Sequence, residues 1–203
     1  GVHHLTHDIT PYNTFEASYR LFQTVEYWPK GTTFVSVVDP GVGSSRKSVV
    51  ALTKTGQYIV TPDNGTLSYI KKDVGIVAVR EISEVENRCS NTELSYTFHG
   101  RDVYAYTGAK LASGHISFEE VGPELPVDKI LEFPVVETII EENLVRGAID
   151  ILDVRFGSLW TSITPSLTMI CWSTKTKLPM GNRLRMFVSV SQLFISIPSI
   201  VSV

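Results

Sequence analysis

An acid, a guanidinium and an imidazole stand in two glycine-bearing segments of this 203-residue chain. The first segment is Val37-Val38-Asp39-Pro40-Gly41-Val42-Gly43-Ser44-Ser45-Arg46. The second, about fifty residues later, is Thr97-Phe98-His99-Gly100-Arg101-Asp102. A carboxylate and an imidazole can take or share a proton, and a guanidinium can fix the geometry of both. Glycines beside them leave backbone open to a ligand. On spacing alone, plainer roles are favoured. Asp39-Pro40-Gly41 makes a turn with Arg46 as a surface cation. His99 makes a structural hydrogen bond, and Arg101 with Asp102 forms a helix-start ion pair.

Three further segments carry candidate groups. Thr61-Pro62-Asp63-Asn64-Gly65 is a turn, with Asp63 and Asn64 as candidates for a ligand contact. His3-His4-Leu5-Thr6-His7-Asp8 tempts a metal assignment, but no Cys or Glu completes a ligand spacing, so no metal site is expected. Ile151 to Ile163 reads as a strand, a glycine turn and a second strand. Within it, Phe156 offers a face to a purine and Asp153 a carboxylate to an ammonium.

The elements that must position these groups follow from periodicity and breakers. Asn13 to Trp28 has near-helical apolar spacing and is stopped by Pro29-Lys30-Gly31. Thr33 to Val38 is a strand ending at Asp39, where open α/β sheets place ligands. Ser48–Leu52 and Gln57–Thr61 form a strand pair around Lys54-Thr55-Gly56. Leu67–Lys72 reads as a short helix, Gly75–Arg80 as a strand, and Val103–Ser113 as a helix closed by Gly114. This alternation predicts an α/β domain with a mostly parallel sheet over residues 1–124. A Pro-punctuated linker follows over 125–135. Short strands then predict a small all-β, barrel-like domain over 136–203.

Composition narrows the classes. The chain is 43% hydrophobic with a net charge of −3, so no electrostatic footprint for nucleic acid is present. Cys89 and Cys171 stand far apart without metal spacing, as in a reducing, cytoplasmic protein. All 21 Asp and Glu lie at or before Asp153, while the last 50 residues carry five Lys or Arg. Residues 164–203 therefore read as atypical beside the rest. Met186 to Val203 is an uncharged run, but its Ser, Gln and Pro content argues against a membrane anchor.

Taken in order, Leu5-Thr6-His7-Asp8-Ile9, Pro29-Lys30-Gly31-Thr32, the Asp39-to-Arg46 loop, Pro62-Asp63-Asn64-Gly65, Phe98-His99-Gly100-Arg101-Asp102 and Phe156-Gly157-Ser158-Leu159-Trp160-Thr161 resemble one enzyme family. It is the S-adenosylmethionine hydroxide adenosyltransferase family, related to the fluorinating and chlorinating adenosyl enzymes. The likeness spans roughly residues 2–163. It implies cleavage of S-adenosylmethionine to adenosine and methionine, with water attacking the ribose C5′. It implies no cofactor, and a homotrimer with sites between subunits. The family's Asp-Arg-His triad falls on Asp39, Arg46 and His99. Substrate contacts fall on Tyr12, Asp39, Asn64, Thr97, Phe98, Gly100, Asp153, Phe156 and Ser158. Of these, Tyr12 would lie along the nucleoside, Phe156 would stack on adenine and Asp153 would hold the methionine ammonium. Relatives often carry Asn where Ser158 stands. Their first strand would precede Gly1, and their later C-terminal strands have no counterpart after Thr164. The halide-using relatives carry an uncharged aromatic at the position of Asp39 and a Tyr-Ser pair at His99-Gly100. The rival readings are a halide-using adenosyl transferase and an inactive nucleoside-binding remnant.

Overall fold

A computed structural model describes residues 1–134 and, as backbone, the strand segments 139–141, 144–147, 151–153, 157–159, 185–189 and 192–196. The chain divides into two compact units, Gly1–Phe133 and Pro134–Val203. The first begins with helix α1, Thr14–Val25. Asn13 caps it by accepting the Glu16 N–H at 3.0 Å. Glu16 in turn accepts the Thr10 N–H at 3.0 Å, tying the preceding loop to the first turn of the helix.

Five strands follow: β1 Thr33–Val35, β2 Ser48–Thr53, β3 Tyr58–Pro62, β4 Ile76–Glu81 and the short β5 Glu124–Leu125. They form one sheet in the order β1-β3-β2-β4-β5. Helix α2, Tyr106–Ala112, continues directly from a π-helical turn over Gly100–Ala105.

The sheet is mixed, which corrects the expectation of a mostly parallel one. Among the described residues of this sheet, β1 with β3 is the parallel pair. β2 runs antiparallel to both β3 and β4, and β4 antiparallel to β5. The physical reason is the tight turn at Lys54-Thr55-Gly56, which can only return the chain antiparallel. β5, between Pro123 and Pro126, straddles the expected boundary between the first domain and the linker.

Both faces of the sheet are covered. On one, Phe34, Val49, Ala51 and Ile59 pack against Leu21 and Val25 of α1 and against Leu67 and Ile70. On the other, Val50 and Val60 pack against Val103, Tyr104 and Leu111. Strand alternation sends neighbouring residues of β2 into opposite cores, which is why the strand reads as a continuous apolar run.

In the second unit, β6 Ile139–Glu141, β7 Leu144–Gly147, β10 Arg185–Ser189 and β11 Gln192–Ser196 form an antiparallel sheet. β8 Ile151–Asp153 pairs antiparallel with β9 Gly157–Leu159. Among the described residues, no helix is long and apolar enough to cross a membrane.

Because β2 is antiparallel to β3, the Ser36–Lys47 connection stays at the carboxyl ends of β1 and β3 and arches over β3. The Ser36 N–H donates to the Val60 carbonyl at 3.0 Å and the Asp63 N–H to the Lys47 carbonyl at 2.8 Å, pinning both feet of the arch. Helix α2 must then lie flush on β1 to bring the turn before it to the same end. Gly108 permits this: a Cβ there would stand 2.5 Å from Val35 Cγ2. Gly108→Ala adds helix propensity of about 1 kcal/mol, but overpacking costs about 1–3 kcal/mol. A net fall in urea midpoint is expected, and Val35→Ala in the same chain should restore it.

Candidate active site

The arch and the helical turn meet at the carboxyl ends of β1 and β3. Arg46 Nε donates to Asp39 Oδ1 at 2.8 Å and its Nη2 donates to Asp39 Oδ2, a bidentate pair. The same Nη2 lies 3.2 Å from His99 Nδ1. Nη1 donates to Ser48 Oγ at 2.9 Å, and that hydroxyl is 3.0 Å from the Tyr104 hydroxyl. The guanidinium also stands 5.5 Å from the centre of the Tyr104 ring. Arg46 thus ties the arch, the first residue of β2 and the turn preceding α2 into one network. The side chains of the pair are only 8% (Arg46) and 6% (Asp39) exposed.

Asn64 supports the arch from beneath. Its Nδ2 donates to the Val38 carbonyl at 2.8 Å, and its Oδ1 accepts from the Thr66 hydroxyl at 2.7 Å. That bond fixes the residue immediately before Asp39.

His99 opens the helical turn and is 5% exposed. Burial pushes its imidazole below the ordinary histidine range, with Arg46 and Arg88 pushing the same way and the Glu84 and Asp39 carboxylates opposing. Gly100 follows with room for a Cβ only by crowding Val37 Cγ1, at 3.2 Å. Burial likewise pushes the Tyr104 phenol well above its ordinary value, so it stays a neutral hydroxyl. Arg101 pairs with buried Asp102 at 2.6 Å and holds that carboxyl below the usual range.

The structure therefore brings Asp39, Arg46 and His99 together. Around them, the expected substrate residues differ in placement. Phe98 is 57% exposed, with the Arg101 guanidinium 5.2 Å from its ring centre, and Thr97 beside it is exposed. Tyr12 is 76% exposed and adopts φ 68°, a left-handed conformation costly for a bulky residue. Asp63 points elsewhere: its Oδ1 accepts the Leu131 N–H at 2.9 Å, burial raises its pKa, and it lines a small cavity with Lys47, Val79 and Ile130. Phe156 lies outside the described residues, and Asp153 and Ser158 are described as backbone alone. His4 and His7 contact one another at 3.0 Å, and among the described residues no cluster suited to a metal ion occurs.

The sequence singles out none of Ser48, Glu84, Arg88 or Tyr104, all of which join this network. Glu84 and Arg88 stand four apart, but on a stretch with no helical pattern, so the spacing carries no signal. Ser48 and Tyr104 read as ordinary strand and helix residues.

The chain is similar to several known proteins. The sequence profile of the SAM hydroxide adenosyltransferase N-terminal domain matches residues 1–122. A Methanocaldococcus jannaschii protein named (R)-S-adenosyl-L-methionine hydrolase is 39% identical over 126 residues, covering 62% of this chain and 46% of the relative. An Actinopolyspora mzabensis fluorinase is 27% identical over 180 residues, covering 77% of this chain and 59% of the relative. The chain thus spans about half the length of the curated relatives it matches. A crystal structure of an uncharacterized conserved protein from Thermotoga maritima superposes with a TM-score of 0.69 at 37% identity, covering 74% of this chain and 56% of that one.

The buried pair sets a stability test. Arg46→Met leaves the Asp39 carboxylate buried without its partner and should cost about 3–5 kcal/mol in urea unfolding. Adding Asp39→Asn removes the stranded charge and should recover a substantial part of that loss.

Proposed function

Because this chain belongs to the SAM hydroxide adenosyltransferase family, we propose that it hydrolyses S-adenosylmethionine to adenosine and L-methionine, with water attacking the ribose C5′. The observation that carries this reading is the Arg46 guanidinium shared between the Asp39 carboxylate and His99 Nδ1. As the water oxygen bonds C5′, the C5′–S bond breaks and sulfur keeps the electron pair. The sulfonium leaves without acid assistance. One proton leaves the oxygen, and Asp39 and His99 are the groups that take or share it. Arg46 fixes both through its contacts with the Asp39 carboxylate and His99 Nδ1. In-line placement of water behind C5′ supplies much of the acceleration.

The reading extends to Tyr12, Asn64, Thr97, Phe98 and Gly100 as substrate contacts, with Asp153 for the methionine ammonium and Phe156 and Ser158 for adenine. The exposed rings of Tyr12 and Phe98 support it, since each offers apolar surface to a nucleoside. It includes an α/β domain over 1–124, a linker over 125–135, a small all-β domain over 136–203, a cytoplasmic homotrimer and sites between its subunits. The competing halide chemistry is disfavoured by Asp39, because a carboxylate beside the nucleophile repels an anion.

Incubation with S-adenosylmethionine should release adenosine and methionine in equal amounts, and ¹⁸O-water should label the adenosine 5′-hydroxyl. Asp39→Ala and His99→Ala should each slow release by ~10²-fold or more. Full rates in either variant remove that residue from the mechanism. A halogenated nucleoside formed with added chloride overturns the choice of nucleophile, and nucleoside binding without product reveals the inactive remnant.

A further inference from the structure

Arg88 approaches His99 as closely as Arg46 does. Its Nη2 lies 3.0 Å from His99 Nε2, on the opposite edge of the ring from the Arg46 contact. The Arg88 side chain is 6% exposed. Glu84 accepts from its Nε at 3.2 Å and from its Nη2 at 2.6 Å. Its Nη1 donates to the Thr92 carbonyl at 3.2 Å and the Ser95 carbonyl at 3.1 Å, and the Tyr96 ring centre lies 5.7 Å from the guanidinium carbon. Every nitrogen of this guanidinium is therefore occupied, and its position on the imidazole is held from several directions.

The consequence follows from donor counting. A guanidinium donates and never accepts. A neutral imidazole has one accepting nitrogen, and an imidazolium has none. With guanidinium nitrogens against both Nδ1 and Nε2, a neutral ring already faces one donor more than it can satisfy. Protonation would set N–H against N–H on both edges, between two cations. We propose that Arg88, anchored by Glu84, is a positioning residue that with Arg46 holds His99 as a neutral proton acceptor, and that His99 gains a second proton only when the Arg88–Glu84 pair leaves the Nε2 edge. The catalytic meaning of this proposal rests on the hydrolysis reading; the state of the ring does not.

The charged and titratable groups facing His99 come from three parts of the fold. Asp39 and Arg46 come from the arch after β1, and Glu84 and Arg88 from the turn after β4. Asp102 comes from the turn that His99 itself opens, and the two groups are electrostatically coupled. Tyr96 adds a ring 6.3 Å from the imidazole. The two carboxylates named with His99 oppose the two guanidiniums, so removing Arg88 alone leaves Glu84 and Asp39 against one cation. The ring should then protonate more readily. A weakly basic ring is adequate for hydrolysis by this route, because the attacking water becomes strongly acidic only as its oxygen bonds carbon. What matters is that the ring remains unprotonated when substrate arrives.

The test is a ¹⁵N NMR titration of the imidazoles in the whole chain, with His99→Gln assigning the resonance among the five histidines. In the unmodified protein, His99 should remain a neutral single tautomer well below the ordinary midpoint of about 6.5. In Arg88→Gln the midpoint should rise toward about 6.5, and Arg88→Lys, which keeps the charge, should fall between the two. In turnover, the ratio of rates at pH 8 and pH 5.5 should grow in Arg88→Gln, by up to about tenfold, the limit for a ring titrating at its ordinary value. An unmodified His99 that titrates at or above about 6.5 overturns the proposal, even if Arg88→Gln does not fold. So does an Arg88→Gln protein that loses rate by one factor at every pH with its His99 midpoint unmoved. A neutral His99 that responds to Arg88 in a chain releasing no adenosine supports this proposal and removes the hydrolysis reading instead.

Discussion

The Asp39 carboxylate is the constraint on which the carboxyl end of the sheet depends. An ionised carboxylate that is largely removed from water needs a partner whose geometry satisfies both oxygens, and a guanidinium supplies that in one plane. Arg46 does so with Nε and Nη2, then has Nη1 and the remaining Nη2 donor for other elements. Ser48 takes one at the start of β2 and His99 faces the other from the turn before α2. A single planar cation therefore sets the distance between the arch, the sheet and the helix. The same contacts that satisfy the buried acid are those that aim the imidazole.

That cation works only because backbone elements arrive within its reach. β1 and β3 run parallel, so their carboxyl ends share one edge, and the arch crosses that edge rather than leaving it. The Asn64 amide holds the Val38 carbonyl from the turn after β3, which limits movement of the residue just before Asp39. On the other face, Gly108 removes the Cβ that would lift α2 off Val35. Packing and electrostatics are thus coupled: a helix displaced by even a methyl group would draw His99 away from Arg46.

Much of this was legible in the residues, and the failures have physical causes. α1, the β2–β3 pair and the helix before Gly114 are marked by caps, breakers and periodicity, and they occur close to where those signals lie. The mixed pairing of the sheet was not readable from apolar content, because a strand buried on both faces shows the same Val-rich run whether its neighbours are parallel or antiparallel. β5 is two residues long between prolines, too short to carry a period. At the site, Asp39, Arg46 and His99 are visible as charged and titratable residues beside glycines, but their spacing alone favours a turn and a structural histidine, and only the resemblance of several ordered motifs assigns them as a triad. Ser48, Tyr104 and the Glu84–Arg88 pair do not. Their roles depend on which surfaces the fold brings face to face, and a one-dimensional pattern holds no record of that.

The order of charges along the network also bears on which nucleophile suits it. Reading outward, Asp39 is followed by Arg46, His99, Arg88 and Glu84, so two anions enclose two cations with a neutral ring at the centre. An anionic nucleophile entering beside Asp39 would unbalance this sequence and meet a fixed negative charge in a weakly screened site. Water enters without changing the charge. It needs only an acceptor for the proton it loses as its oxygen bonds carbon. On the proposed hydrolysis, His99 meets that need once the Arg88–Glu84 pair leaves its Nε2 edge, with the Asp39 carboxylate one contact away, and the ring need not be strongly basic. The pairing that makes the buried acid tolerable therefore also makes a neutral nucleophile the compatible one.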